Sequence, residues 1–385
     1  MARAANASRP ASSFAFFGGY DPAYPRSAVI GRGLRENGAA VRECAVSPRR
    51  RFWLRYPSLV WKFFRGGDAA ARAEERGAAR RYIFVPEFCA KDVPLAKLLG
   101  LLSGRKVIFD PLAARYETKI LDWGWRSRST LSAWWNFRID AVAFKLADIV
   151  LADTSVHKDY YVRTCGLHPR RAAVLPLGFD DRLFCPERAP APPAREANGD
   201  FEVLFFGSFL PLHGVEVIAE AARLVKKEAG IRFRLIGSGR TFPAVKAFVE
   251  AHGLANVEFL GRVPLSRLPA EIGRASVCLG VFGRTEKARR VVPHKLFQAA
   301  AMGRAVITAR TPAVEEFFDH RRHVYFCDEP LAASLALAIL ELRRDADLRA
   351  SIAEQGRRLV RERHSPRAVG RLLLDLLHRF RSGRA

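Results

Sequence analysis

Short apolar runs recur along the chain, each closed by glycine or a polar residue, with helical-period segments between them. Ser13–Phe17 is the first run and Gly18-Gly19 follows at once; Ser27–Asn37 has helical spacing and ends at Gly38; Ala40–Val46 is apolar again. A strand, a tight glycine turn, a helix and a second strand begin a βαβ unit. The alternation continues with Tyr82–Pro86, a helix around Val93–Leu102 and Lys106–Asp110. Thr130–Leu146 follows as a helix whose Trp134, Trp135 and Phe137 are expected in the core, and then Ile149–Ala152 and Ala172–Leu177. Near-continuous apolar strands, rather than alternating ones, belong to parallel sheets buried on both faces.

The pattern restarts at Phe201–Phe206, closed by Gly207. Next come a helix over Val215–Glu228, the strand Phe233–Ile236 with Gly237-Ser238-Gly239, the strand Val257–Leu260 and a short helix over Leu265–Ile272. Ala275–Phe282 is a further strand. A loop with Arg284, Lys287, Arg289 and Arg290 follows it. Pro293 suits the first turn of a helix carrying Leu296, Phe297, Ala300 and Ala301, Gly303 suits its end, and Ala305–Ala309 begins the next strand. A helix N-terminus at the carboxyl end of a strand, ringed by cations, favours a phosphate. A nucleotide diphosphate is expected here; charge alone is equally compatible with a solvated basic loop. The closing helix, Arg367–Phe380, carries Val369, Leu372, Leu373, Leu376 and Leu377 along one side. The expected fold class is α/β, with two doubly wound Rossmann-like domains. Residues 1–185 form the first, 186–199 (rich in Pro and Ala) the linker, 200–364 the second, and 365–385 a C-terminal helix that packs back on the first.

Charge sharpens the picture. Lys and Arg number 64 against 39 Asp and Glu, a net +25. Such an excess calls for polyanionic company. Arginine is abundant throughout, and Arg49–Arg65 (RRRFWLRYPSLVWKFFR) holds six Arg or Lys, with Trp53, Tyr56, Val60, Phe63 and Phe64 able to share one helical face. Two uses stay open: an amphipathic helix lying on an anionic membrane surface, or a helix packed on its own sheet with cationic edges. Pro57 either kinks this helix or starts a new one. No nucleic-acid motif accompanies the charge, and no nucleic-acid partner is expected. The cysteines are scattered, without metal-ligand spacing, so buried free thiols, a reducing compartment and no metal are expected. The N-terminal residues hold no apolar core of signal-peptide length, and no apolar run reaches membrane-span length. The expected location is cytoplasmic or peripheral at the inner face of the cell membrane.

The motifs FFGSFLPLHGVEVIAEA (205–221), RLIGSG (234–239), NVEFLGRVP (256–264), KLFQAAAMGRAVIT (295–308) and TPAVEEF (311–317) resemble the nucleotide-sugar domain of the family-4 retaining glycosyltransferases, of GT-B fold. YPRSAVIGRGLRENG (24–38), DVPLAKLL (92–99), VIFDPLAARYET (107–118) and LADIVLADT (146–154) resemble the acceptor domain of a subset of them. The resemblance implies a retaining, metal-independent transfer of a sugar from a nucleotide diphosphate to a glycan or lipid-linked acceptor, in cell-envelope or exopolysaccharide biosynthesis, with no cofactor. A nucleotide-sugar epimerase and an inactive nucleotide-sugar binder share the fold. By the resemblance, Gly207 admits the donor phosphates. Gly18 and Gly19, read from the residues, either only turn the chain sharply or also let a ligand approach the backbone closely. Ser208 and His213 stand where the family carries Arg and Lys, so Lys287 and Lys295, with Arg290, are expected to supply charge. The family's Glu-x(7)-Glu motif falls on Arg290 and Gln298; Gln298 can hydrogen-bond ribose hydroxyls, whereas Arg290 cannot accept a hydrogen bond. Asp110 stands where a His often completes the reacting-sugar site. Glu315 or Glu316 is expected at donor hydroxyls, or equally as helix-terminus charges, and Gly237 at the donor loop. Asp110, Lys287 and Lys295 are the candidates for the chemical step.

Overall fold

The computed structural model describes residues 12–65, 78–123, 129–188, 200–329 and 331–382. It divides into two compact units, one comprising residues 1–120, 125–176 and 366–385, the other 121–124 and 177–365.

In the first unit the chain runs β1 (Ser12–Gly18), α1 (Pro25–Glu36), β2 (Ala40–Ala45), α2 (Phe52–Arg65) and β3 (Arg80–Val85). It continues with α3 (Val93–Ser103), β4 (Lys106–Phe109), α4 (Leu131–Leu146), β5 (Ile149–Ala152), α5 (Ser155–Cys165) and β6 (Ala172–Val174). The strands form one sheet in the order β2-β1-β3-β4-β5-β6, every pair parallel. Phe14, Phe16 and Phe17 are all buried, which a strand covered on both faces requires; Phe16 stacks on Phe84 at 4.5 Å. α2 is continuous through Pro57, with Arg55, Leu59 and Phe63 turned to the core. Phe63 therefore leaves the face expected for it and packs edge-on to Phe17. Trp134 and Trp135 also depart from expectation: both are more than half exposed, while Ala133, Asn136, Asp140 and Ala143 fill the buried side of α4.

The second unit runs β7 (Phe201–Phe206), α6 (Val215–Leu224), β8 (Ile231–Ile236), α7 (Phe242–Ala251), β9 (Val257–Gly261), α8 (Leu268–Arg274) and β10 (Val277–Leu279). It continues with α9 (His294–Ala301), β11 (Ala305–Ala309), α10 (Pro312–Glu315), β12 (Tyr325–Cys327), α11 (Leu331–Arg344) and α12 (Ala346–Arg363). Its parallel sheet has the order β12-β11-β10-β7-β8-β9. The order reverses between β7 and β10, and loops at the carboxyl ends of such strands border a ligand crevice in open α/β sheets.

The boundary falls at Pro176, ahead of the Pro- and Ala-rich stretch 186–199, most of which lies outside the described residues. Residues 177–188 join the second unit because they are tied to the end of α12. Nδ1 of His364 meets the Leu177 carbonyl at 2.8 Å, Phe179 N–H donates to the His364 carbonyl, and Arg357 pairs with Glu187 at 2.6 Å. The last helix, α13 (Pro366–Arg381), belongs to the first unit and crosses α1 at a glycine pair. A Cβ on Gly33 would lie 1.9 Å from the Pro366 carbonyl oxygen, so the two backbones touch directly there.

Candidate active site

The first strand of the second sheet ends in Gly207, whose φ of +143° only glycine adopts readily. Its N–H donates to the Ile236 carbonyl at 3.0 Å. Gly237, with φ +134°, has no alternative residue either: a Cβ there would stand 1.8 Å from the Gly207 oxygen. The two glycines thus let β7 and β8 turn away together. The loop after β7 is then stitched to the loop after β10. Phe282 N–H donates to the His213 carbonyl at 3.1 Å and Gly283 N–H to the Leu212 carbonyl at 3.2 Å. Gly214 permits this approach, since a Cβ would come within 2.3 Å of the Phe282 backbone.

Against this floor stands Lys295, in the first turn of α9. Its Nζ is buried, has no hydrogen-bond partner among the described residues, and lies 3.9 Å from the centroid of the Phe205 ring. A Cβ on Gly207 would be only 3.1 Å from that nitrogen. Burial pushes the Lys295 amine well below its usual pKa, and no carboxylate opposes the shift. His213 sits beside it, its Nδ1–H donating to the Ser208 carbonyl. Burial pushes the imidazole well below its ordinary value, and Lys295 and Lys287 add to the depression. Lys287 is buried in the loop between β10 and α9. The fold therefore concentrates cationic capacity around a glycine floor at the N-terminal end of a helix, which is an electrostatic arrangement for an anion.

The remaining expected residues are placed as follows. Gln298 is buried one turn along α9 from Lys295. Ser208 is exposed at the loop tip. Arg290 pairs with Glu286 at 3.2 Å. Glu315 and Glu316 are exposed, and Glu315 pairs with Arg310 at 3.0 Å in the first turns of the short α10. Pro293 is the cap preceding α9 rather than its first residue.

In the first unit Gly18 and Gly19 turn the chain after β1. Gly19 N–H donates to Asp92 at 2.9 Å, and Arg55 grips the same carboxylate through contacts of 2.6 and 2.7 Å. Asp110 is fully buried and forms a two-point pair with Arg26 at 2.7 and 3.1 Å; Arg26 also donates to the Leu175 and Pro176 carbonyls. Its carboxylate is thus committed to a guanidinium within its own unit. Next to it Glu87 accepts from Ser27 at 2.7 Å, and burial pushes its carboxyl up to about 7. Arg26, Arg55 and Phe205 were not singled out as site residues by the sequence, although Arg26 and Phe205 lie inside the motifs YPRS and FFGS. Spacing along a strand end does not reveal which side chain will fold back onto a backbone turn.

Residues 216–375 match the family described as glycosyl transferase-like. An uncharacterized glycosyltransferase of Methanocaldococcus jannaschii, MJ1178, is 27% identical over 161 residues, which span 42% of this chain and 43% of that relative. Among solved structures, HepE of Anabaena in complex with UDP and glucose superposes with a TM-score of 0.66 at 15% identity, covering 95% of this chain and 99% of the other. Sucrose-phosphate synthase of Thermosynechococcus elongatus gives 0.67 at 15% identity, covering 97% and 100%. These similarities establish the two-domain GT-B fold along nearly the whole chain.

Proposed function

We propose that this protein is a retaining glycosyltransferase that moves a sugar from a nucleoside-diphosphate sugar to a glycan or lipid-linked acceptor in envelope or exopolysaccharide synthesis. The observation that carries the reading is the buried, hydrogen-bond-free amine of Lys295 against Gly207 at the start of α9. An unpaired buried cation is costly, and a diphosphate supplies the missing counter-charge. Lys295 and Lys287 stabilise the departing diphosphate, so the transfer needs preorganised cations rather than a metal. His213 holds the Gly207 loop in place, and Gln298 reaches the donor ribose. HepE, a structural relative, is solved with UDP and with UDP-glucose, which supports a uridine donor.

Asp110, held by Arg26, orients rather than attacks. Same-face transfer by the acceptor requires no protein nucleophile. Glu315 or Glu316 reaches donor hydroxyls, and the acceptor is presented at an anionic membrane surface through 49–65.

Thermal-shift measurements with UDP, GDP, ADP, CMP and their sugar conjugates test the donor site. Stabilisation by one nucleoside diphosphate, weakened in Lys295→Ala, is expected; no response to any nucleotide overturns the reading. Turnover of the stabilising donor separates transfer from its rivals. An isomerised donor identifies an epimerase, and binding without turnover identifies an inactive binder.

A further inference from the structure

The strand order of the first sheet fixes which helices share a face. The connection from β1 to β2 runs one way along the sheet, and all later connections run the other way. Right-handed crossovers therefore place α1 on one face and α2, α3, α4 and α5 on the opposite face. Contacts agree with this: α13 packs on α1, α3 packs on α4, and Arg105 at the start of β4 lies 5.1 Å over the Phe63 ring of α2.

The outer surfaces of α2, α3 and α4 are not those of an ordinary soluble layer. On α2 Trp53, Leu54, Trp61 and Phe64 are exposed, Trp61 by 59%. On α3 they are Leu98, Leu101 and Leu102, the last by 72%. On α4 they are Leu131, Trp134, Trp135 and Val142. Each set recurs at helical spacing, so each helix carries an outward apolar stripe opposite its buried one. Among the described residues of the second unit, only Leu224, Leu265 and Leu337 are large and exposed, on separate elements. Neither α1 nor α13 has any. Scattered exposed leucines are normal; three helices on one face with apolar stripes, two of them carrying tryptophans, are not.

The charge of this layer identifies what covers it. In residues 49–65, 93–106 and 131–146 the only acid is Asp140, and it is buried, whereas Arg50, Arg51, Arg65, Lys106, Arg138 and Lys145 fringe the stripes. Arg51 lies over the Trp53 ring at 5.7 Å and Arg138 over Trp134 at 5.9 Å. Tryptophan beside Arg or Lys suits the level of lipid head groups, with the ring at the acyl boundary and the cation at the phosphate. A second copy of this chain would bring like charges together. Among the described residues no helix is long and apolar enough to cross a membrane. We propose that α2, α3 and α4 together form a docking face that lies on an anionic lipid bilayer, with the Trp134–Trp135 pair of α4 as a second aromatic anchor in addition to that of α2. The proposal deepens the acceptor reading above, which assigned only 49–65 to the membrane.

The test is co-sedimentation of the full chain with vesicles of phosphatidylcholine alone or mixed with phosphatidylglycerol. Wild type is expected to partition onto the mixed vesicles and to be released by salt. Trp134→Ala/Trp135→Ala, far from α2 in sequence, should lower the partition about tenfold or more, as should Trp53→Ala/Trp61→Ala. Leu337→Ala, exposed on the second unit, should leave it unchanged. All these side chains are at the surface, and thermal unfolding checks that each variant folds. Absence of binding, or binding indifferent to the Trp134/Trp135 change, overturns the proposal. So does a lipid-free dimer that this change dissociates, which would assign the face to self-association. None of these readouts needs a nucleotide, so the docking face fails or stands independently of the donor site.

Discussion

Replacing Lys295 by Met removes one buried amine while keeping most of its apolar volume. In the free protein that amine has no hydrogen-bond partner among the described residues, and burial drives its pKa far down. Removing an unsatisfied buried polar group recovers about 1–3 kcal/mol. For a unit of this size each kcal/mol moves Tm by about 2–4 °C. Lys295→Met is therefore expected to melt several degrees above wild type without ligand. The gain depends on pH with a definite sign. The folded pKa lies below the unfolded one, so the unfolded chain binds more protons and wild-type stability rises with pH toward 10.5. The advantage of Met accordingly shrinks as pH increases. With a nucleoside diphosphate the gap narrows. At a ligand concentration of about 100 Kd wild type gains about 2.7 kcal/mol, and loss of a charge-assisted hydrogen bond weakens binding roughly 10–100-fold, leaving about 0.4–1.4 kcal/mol. Differential scanning calorimetry with and without UDP, across pH, reads both effects. A variant that is destabilised without ligand and keeps the full nucleotide shift would show that Lys295 is structural, and the reasoning would be refuted.

Other outcomes follow from the same geometry. His157 is fully buried between Asp153 at 2.6 Å and Glu117 at 3.0 Å. Burial opposes its charge, but the two carboxylates outweigh it and raise its pKa to about 9. Its contribution is present in full below about 6.5 and lost as pH rises through about 9, so alkaline unfolding of the first unit should begin there. His157→Gln should lose that step and cost about 3–5 kcal/mol, measured by denaturant titration. Arg26→Met strands the buried Asp110 carboxylate and should cost a similar 3–5 kcal/mol, whereas Arg26→Met combined with Asp110→Leu should recover most of it in a double-mutant cycle. Gly237→Ala places its Cβ against the Gly207 carbonyl, so it should abolish the nucleotide-dependent thermal shift even in protein that folds.

Much of this protein was legible in its sequence because the relevant signals are local. Strands such as Phe14–Phe17 and Val203–Phe206 announce themselves by continuous apolarity, and Gly207, Gly237 and Gly303 by the turns that follow them. Two parallel sheets follow from alternation alone, since parallel strands require crossovers. The motif around Lys295 placed that residue in the first turn of a helix, where α9 (His294–Ala301) begins. The sequence could not show that the Lys295 amine would be left without a hydrogen-bond partner, because that depends on the Phe205 ring and the Gly207 turn, distant in sequence. Nor could it show that Asp110 would be taken by Arg26, whose reach is set by where α1 lies over the strand ends. Trp134 and Trp135 are the clearest case. Helical periodicity establishes that a stripe exists, but α4 carries apolar residues on more than one side. Only the position of α3 and the sheet decides which side is buried, and so leaves the two tryptophans facing outward beside Arg138.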